Sequence, residues 1–346
     1  MERTTSRAVA VLETDASGAQ RLIPITLFYE RHYYDAALYR ATPVPLTLVP
    51  QTVYEVQQAG KPVGLFTVLT VRQSDGQWVA GGKYEAATES AVRKKRGAQP
   101  SEDPARPVLH RREGSEGDDL LEAEEGTRSQ LTAGETAVNA MDSERPVLRR
   151  AKPVEEIRQG NGDEFRAGEV VTRRVAVSDA GTERLAPALL FLCSAEEKEN
   201  MHQQAQRLAL AELKQVAAAR GIPVEKLGPP TEEDFRVYRL EQNEYATVVY
   251  SARFAPSEAA ARRERSWVVT VIVRAEGAQF ARLYAAISNP REFELYPEVQ
   301  PVDLVDAEGL GHYLLLLRES GAGGVRWRLG RITGYEMQTV FMTAER

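Results

Sequence analysis

Between Glu85 and Pro153 the chain carries no Phe, Tyr or Trp. This stretch is rich in Glu and Arg, with Gly and Ser interspersed, and carries "RKKR" at 93–96 and "EGDDLLEAEEG" at 116–126. A segment this polar cannot bury enough apolar area to offset about 1–2 kcal/mol of backbone entropy per residue, so it is expected to be disordered alone. It divides the 346 residues into an N-terminal domain at 1–84, a charged linker at 85–153 and a C-terminal domain at 154–346. At 42% hydrophobic residues, the chain has enough apolar material for a core on each side of that linker.

The N-terminal segment reads as short apolar or alternating runs: "RAVAVLET", "RLIPITLFYE", "YYDAALY", "PVPLTLV", "TVYEVQQ", "VGLFTVLTVRQ" and "WVAGGKY". Turn residues such as "DASG", "AGKP" and "SDGQ" separate several of them. Runs of this length, rich in Val, Thr, Tyr and Leu, predict a small all-β sandwich or barrel. Pro24, Pro43, Pro45 and Pro50 belong at edges and turns, because proline has no N–H to give to a ladder. The cluster "FYERHYYDAALY" reads as core and edge packing, with outward rings as the alternative, able to bind a sugar or a protein.

The C-terminal domain opens with strand-like "EVVTRRVAV" and "RLAPALLFLC". Ser194 and Glu197 then form a capping box, in which hydroxyl and carboxylate each satisfy an orphan backbone N–H. The helix it starts is expected to run to about Arg220, stopped by Gly221 and Pro223. Met201, Ala205, Leu208, Ala209, Leu213 and Val216 share one face, interrupted by Glu212, and predict packing against a sheet. Eight further strand-like runs follow, and "GAGG" at 321–324 predicts a hairpin turn near the end. One long helix on a mostly antiparallel sheet makes this domain, and the chain overall, α+β.

The linker repeats itself: "DPARPVLHR" at 103–111 returns as "DSERPVLRR" at 142–150. Proline fixes its own φ and drives the preceding residue out of the helical region, so both copies are expected to be extended. Val108 and Leu109, flanked by Arg106 and Pro107, and Val147 and Leu148, flanked by Arg145 and Pro146, offer an apolar anchor between cations. Such a segment suits strand addition to an exposed sheet edge, on a protein partner or on the chain's own β domains. The 39 residues from Arg106 to Arg145 span about 35 Å as a flexible coil, so both copies can reach one globular body. The plainer reading is a solvated linker.

Several chemistries lack support. A net charge of −6, from 44 basic and 50 acidic residues, does not imply nucleic acid or an anionic membrane. The "RKKR" run has an acidic block nearby and no aromatic residue for base stacking. The lone Cys193 excludes an internal disulfide; it reads as a small core residue, although its place before a helix start would suit a thiolate. His32, His110, His202 and His312 form no HExxH or His/Cys pairing. GxGxxG, GxxxxGK[ST] and GxSxG are absent, and no cofactor is expected. No run approaches the about 20 apolar residues of a spanning helix, and the first residues show no signal-peptide core. As written the chain reads as cytoplasmic, and as periplasmic or exported if a leader was removed or the start misplaced.

The segment "VDLVDAEGLGHYLLLL" resembles the calcium loop of integrin-type FG-GAP repeats. Asp306, Gly309 and Gly311 match, Glu308 stands where that pattern prefers Asp, and Leu310 and Leu314 replace acidic ligands. Two carboxylates fall short of the six or more oxygens a hard cation takes, so Asp306 and Glu308 are weak metal candidates and a tight turn without metal is expected. The runs "RAVAVLE", "RLIPITLFYERHYYDAALYRATPVPLTLVPQTVYEVQQAGKPVGLFTV", "DPARPVLHR" and "PEVQPVDLVDAEGLGHYLLLLRES" are similar to a group of uncharacterised acidobacterial proteins with the same order of parts. That resemblance implies export and supplies no catalytic residues. The expectation is therefore a non-catalytic interaction or scaffold protein, such as an accessory subunit of an envelope or larger assembly, docking through the RPVL segments. The alternative is a hydrolase acting through carboxylates of the C-terminal domain, for example Glu292, Glu294 and Glu298.

Overall fold

A computed structural model of the chain describes residues 6–74, 76–87, 170–178, 189–219, 228–240, 245–255, 266–288, 292 and 294–346. The fold is mostly antiparallel β with one helix among the described residues. The expected linker disorder and both RPVL segments lie outside these residues.

Strands β1 (Arg7–Asp15), β2 (Gln20–Tyr29), β3 (His32–Asp35), β4 (Val53–Gln58), β5 (Lys61–Ser74), β6 (Gln77–Ala86) and β7 (Val170–Ser178) form one sheet in the order β1-β7-β4-β5-β6-β2-β3. A further pairing of β1 with β2 closes it into a barrel of six strands, with β3 as an appended hairpin arm. The sequence reading places Val170–Ser178 in the C-terminal domain. In the structure β7 pairs with β1 from Val9 to Asp15 and with β4 from Tyr54 to Gln57. Strand propensity alone cannot say which sheet a strand joins, and β7 belongs where two open edges await it. Leu12, Leu22, Tyr54, Val56, Phe66, Val68 and Ala176 fill the barrel.

Three strand prolines each sit at a register shift. Pro24 pairs with Ala10 next to the bulge in β1–β2, Pro62 with Gln57 at the bulge in β4–β5, and Pro301 with Leu317 in the pairing described below. The expectation that Pro24 lies at an edge or turn gives way to this placement, since a bulge also excuses the missing N–H. "PVPLTLV", read as a strand, instead holds a single 3-10 turn at Leu46–Leu48. Its prolines cannot serve a ladder, and Leu48 enters the barrel while the Tyr54 hydroxyl donates to the Thr47 carbonyl at 2.7 Å. The β4–β5 hairpin turns through Ala59 and Gly60, both at positive φ (49° and 73°), as a type I′ turn requires.

The C-terminal part contains helix α1 (Ala195–Ala219) and two four-stranded meanders. The outer sheet comprises β8 (Thr231–Tyr238), β9 (Ala246–Phe254), β10 (Trp267–Glu276) and β11 (Gln279–Ile287). The central sheet comprises β12 (Glu298–Val305), β13 (Leu314–Gly321), β14 (Gly324–Ile332) and β15 (Met337–Met342). The capping box forms as expected: Glu197 N donates to Ser194 Oγ at 3.1 Å and Ser194 N to Glu197 Oε2 at 2.8 Å. Glu212, which interrupts the apolar face, is paired with Arg282 on β11. The run "RLAPALLFLC" yields only a bridge, Leu190 to Tyr238, within its described part. "GAGG" makes the β13–β14 hairpin, with Gly321 opposite Gly324.

The layers follow from which faces are apolar. Val9, Val11, Ile23, Val175 and Val177 on the outside of the barrel pack against Leu314, Leu316, Trp327 and Leu329 of the central sheet. The opposite face of that sheet, with Leu304, Leu315 and Leu317, packs on Val249, Ile272 and Leu283 of the outer sheet. The outer sheet's far face, with Tyr250, Val269 and Val271, receives Ala205, Ala209 and Leu213 of α1. Barrel, central sheet, outer sheet and helix thus stack in sequence. Strand β13 reads "LLLL" instead of alternating because it is covered on both faces; Leu314 to Leu317 are fully buried. Leu316→Ala is expected to lower stability by about 2–5 kcal/mol in urea unfolding, by lost transfer energy plus a cavity at the barrel junction.

Candidate functional site

A polar cleft of about 220 Å³ opens where barrel, central sheet and outer sheet meet. Glu13 on β1 lies opposite Arg21 on β2 and opposite Arg173 on β7. Its side chain is 3% exposed and receives Arg21 Nε and Arg173 Nε, each at 2.8 Å. One buried carboxylate therefore clasps three neighbouring barrel strands. Arg173 reaches on to line the cleft, facing Arg236 of β8 and Arg318 of β13.

Those three arginines differ in what already holds them. Arg236 grips Asp234 through Nε (2.7 Å) and Nη2 (2.6 Å), and its Nη1 donates to the Val302 carbonyl. Arg173 is half committed to Glu13. Arg318 donates to Ser320 Oγ and has no carboxylate at ion-pair distance among the described residues. Burial, then the nearby Arg173, pushes its pKa down to about 10, against the opposing pull of Glu13 and Glu298. Glu232, also lining the cleft, takes φ +52° at the bulge between Thr231 and Asp234 in β8. That sparsely allowed backbone turns Glu232 toward Arg253 (2.9 Å) and sends Glu233 to the helix side, where it accepts from the Tyr250 hydroxyl (2.9 Å) and meets His202 Nε2 (3.0 Å).

A second cleft, of about 310 Å³, lies on the other face of the central sheet, lined by Val216, Tyr284, Leu295, Tyr296, Arg326 and Glu319 among others. Glu319, with its side chain fully buried, is directly opposite Arg326 on β14, whose Nε donates to Oε2 at 2.6 Å, and it is also paired with Arg328. Burial pushes the Tyr284 phenol up.

The loop from Asp306 to Gly311 is held by its own chain. Asp306 accepts the N–H groups of Leu310 (3.1 Å) and Gly311 (2.9 Å). Glu308 accepts from the Tyr33 hydroxyl and from Arg331, both at 2.7 Å. Just before the loop, buried Asp303 accepts from Ala59 N (2.7 Å), Leu304 N (2.8 Å) and the Tyr238 hydroxyl (3.1 Å), tying the β4–β5 turn to both C-terminal sheets. Among the described residues no group of three or more His, Cys, Asp or Glu is arranged to hold a metal ion.

Of the carboxylates named from sequence, Glu298 pairs with Arg253 at 3.2 Å and Glu294 is exposed. Cys193 is half-buried just before α1. The arginine cleft was not foreseen from the sequence, because Arg173, Arg236 and Arg318 lie on three strands far apart in the chain. The available signal was arginine inside strand-like runs, as in "TRRVAV" and "FRVYR". Comparison of the chain with protein-family models, with curated proteins and with solved structures finds no match.

Proposed function

We propose that this chain is a non-catalytic interaction protein that docks extended RPVL segments by strand addition. The observation that carries this reading is β15. It ends the central sheet, pairs only with β14 among the described residues, and spells "MQTVFM", an edge with no charge, proline or glycine. Soluble proteins blunt such edges with lysine, proline or a covering loop, and an unblunted one is a template for an added strand. Gln338, Thr339 and Met342 are exposed along it. An RPVL segment brings Val and Leu between arginines to that uncharged edge, and strand addition would satisfy its open backbone groups. The hydrolase alternative asks for free carboxylates in a cleft, whereas Glu232, Asp234 and Glu319 are each held by an arginine.

The test is amide hydrogen exchange of the full chain against a variant with Val108, Leu109, Val147 and Leu148 replaced by Ser. Docking predicts at least tenfold faster exchange at β15 in the variant, with β9 and β10 unchanged. A Thr339→Lys, Met342→Lys variant, altered only at exposed edge positions, is expected to reproduce the loss of RPVL docking, read as loss of protection at Val108 and Val147. Equal β15 exchange in the parent and Ser-substituted chains overturns the reading.

A further inference from the structure

We propose that the cleft between barrel and central sheet is a binding site for a small oxyanion, a phosphate or a carboxylate, held by Arg318 and Arg173. Three observations converge. Arg318 is a largely enclosed guanidinium that donates to a neutral hydroxyl, Ser320 Oγ, and taking a cation out of water without a directly paired counter-charge is costly. Glu13 is paired with Arg21 and Arg173, Asp234 with Arg236, and Glu232 and Glu298 with Arg253, so each of these carboxylates is taken up by an arginine other than Arg318. Arg318 is thus the arginine here with no ion-pair partner among the described residues, beside an opening large enough for a small anion and lined further by Ser251 and Gln300.

The directions of the bonds support the same assignment. Glu13 engages Arg173 through Nε, and among the described residues no hydrogen-bond partner takes the two terminal nitrogens of that guanidinium. Arg318 spends Nη1 on Ser320, and among the described residues Nη2 and Nε have no hydrogen-bond partner. Two guanidinium forks rooted on different layers form the planar, multidentate donor set that carboxylates and phosphates select. The strained Glu232 belongs to this picture: at the bulge that puts it at positive φ its carboxylate is paired with Arg253. An anion bound here would touch β7, β8 and β13 together, so its binding would brace the junction of barrel and sheets.

The experiment measures thermal unfolding of the full chain in increasing inorganic phosphate, and separately acetate, against sodium chloride at matched ionic strength. A saturable rise in Tm above the chloride series is expected, because a ligand that binds only the folded state stabilises it by mass action. Arg318→Gln is expected to weaken the apparent affinity at least tenfold, and the surface variant Lys83→Gln to leave it unchanged. Should Arg318→Gln fail to fold, Arg318→Lys keeps the charge but loses the fork, and a severalfold weakening is expected there. A rise with phosphate alone assigns the site to phosphate and a rise with both assigns it to oxyanions generally. No rise beyond chloride, or equal loss in Lys83→Gln, overturns the proposal.

Discussion

Glu13→Gln is expected to cost the folded chain about 3 kcal/mol, one of the largest effects of any single polar substitution in it. The carboxylate is 3% exposed and is the shared counter-charge of Arg21 and Arg173, which stand on the strands either side of β1. Removing one member of a buried ion pair costs about 3–5 kcal/mol, because the partner is left uncompensated rather than merely unpaired. Here the value falls at the lower end, since both guanidinium groups are about a quarter exposed and recover some hydration. Urea unfolding measures the loss as a lower midpoint. Lys83→Gln, which removes an exposed pair with Glu85, supplies the contrast and is expected to change stability by under about 1 kcal/mol.

Asp303→Ala is expected to cost about 3–5 kcal/mol for a different reason. It removes the acceptor for Ala59 N, Leu304 N and the Tyr238 hydroxyl at the meeting of three layers, and each buried donor left without a partner costs about 1–3 kcal/mol. Ala59 occupies positive φ, so the same bond also holds a turn that alanine disfavours. Burial pushes the Asp303 carboxyl above its usual range, against the opposing N–H groups of Ala59 and Leu304, Arg236 and the Tyr238 hydroxyl. A carboxyl whose folded pKa is raised stabilises the fold fully below its unfolded pKa of about 3.9, and that contribution is lost as pH rises through the folded value. The difference in unfolding free energy between the wild type and Asp303→Asn is therefore expected to fall as pH rises through that window and to level off above it. A difference independent of pH between about pH 3 and 7 would contradict a raised carboxyl at this position.

Local chemistry was legible in the sequence wherever one segment decides its own structure. The Ser194–Glu197 capping box, the "GAGG" hairpin and the C-terminal strands follow from rules that act over a few residues. Placement was not legible. Whether Val170–Ser178 closes the barrel or joins the next sheet depends on which open edge it meets, and its alternation serves either. The "LLLL" of β13 carried a further message, since an unbroken apolar run in a strand needs cover on both faces, and this marks the central layer of a stack. The arginine cleft depends on a convergence of β1, β2, β7, β8, β12 and β13 that no spacing encodes, and its one local trace is arginine within strands.

The most direct test of this architecture is amide hydrogen exchange at β7 in the full chain. If Val170–Ser178 closes the barrel, the amides of Val175, Ala176 and Val177 exchange as slowly as those of Val9 to Leu12 in β1, and Glu13→Gln speeds both sets together. Fast exchange at β7 beside slow exchange at β4 and β5 would mean that the barrel is open there, and the cleft built on Arg173 would lose one of its walls.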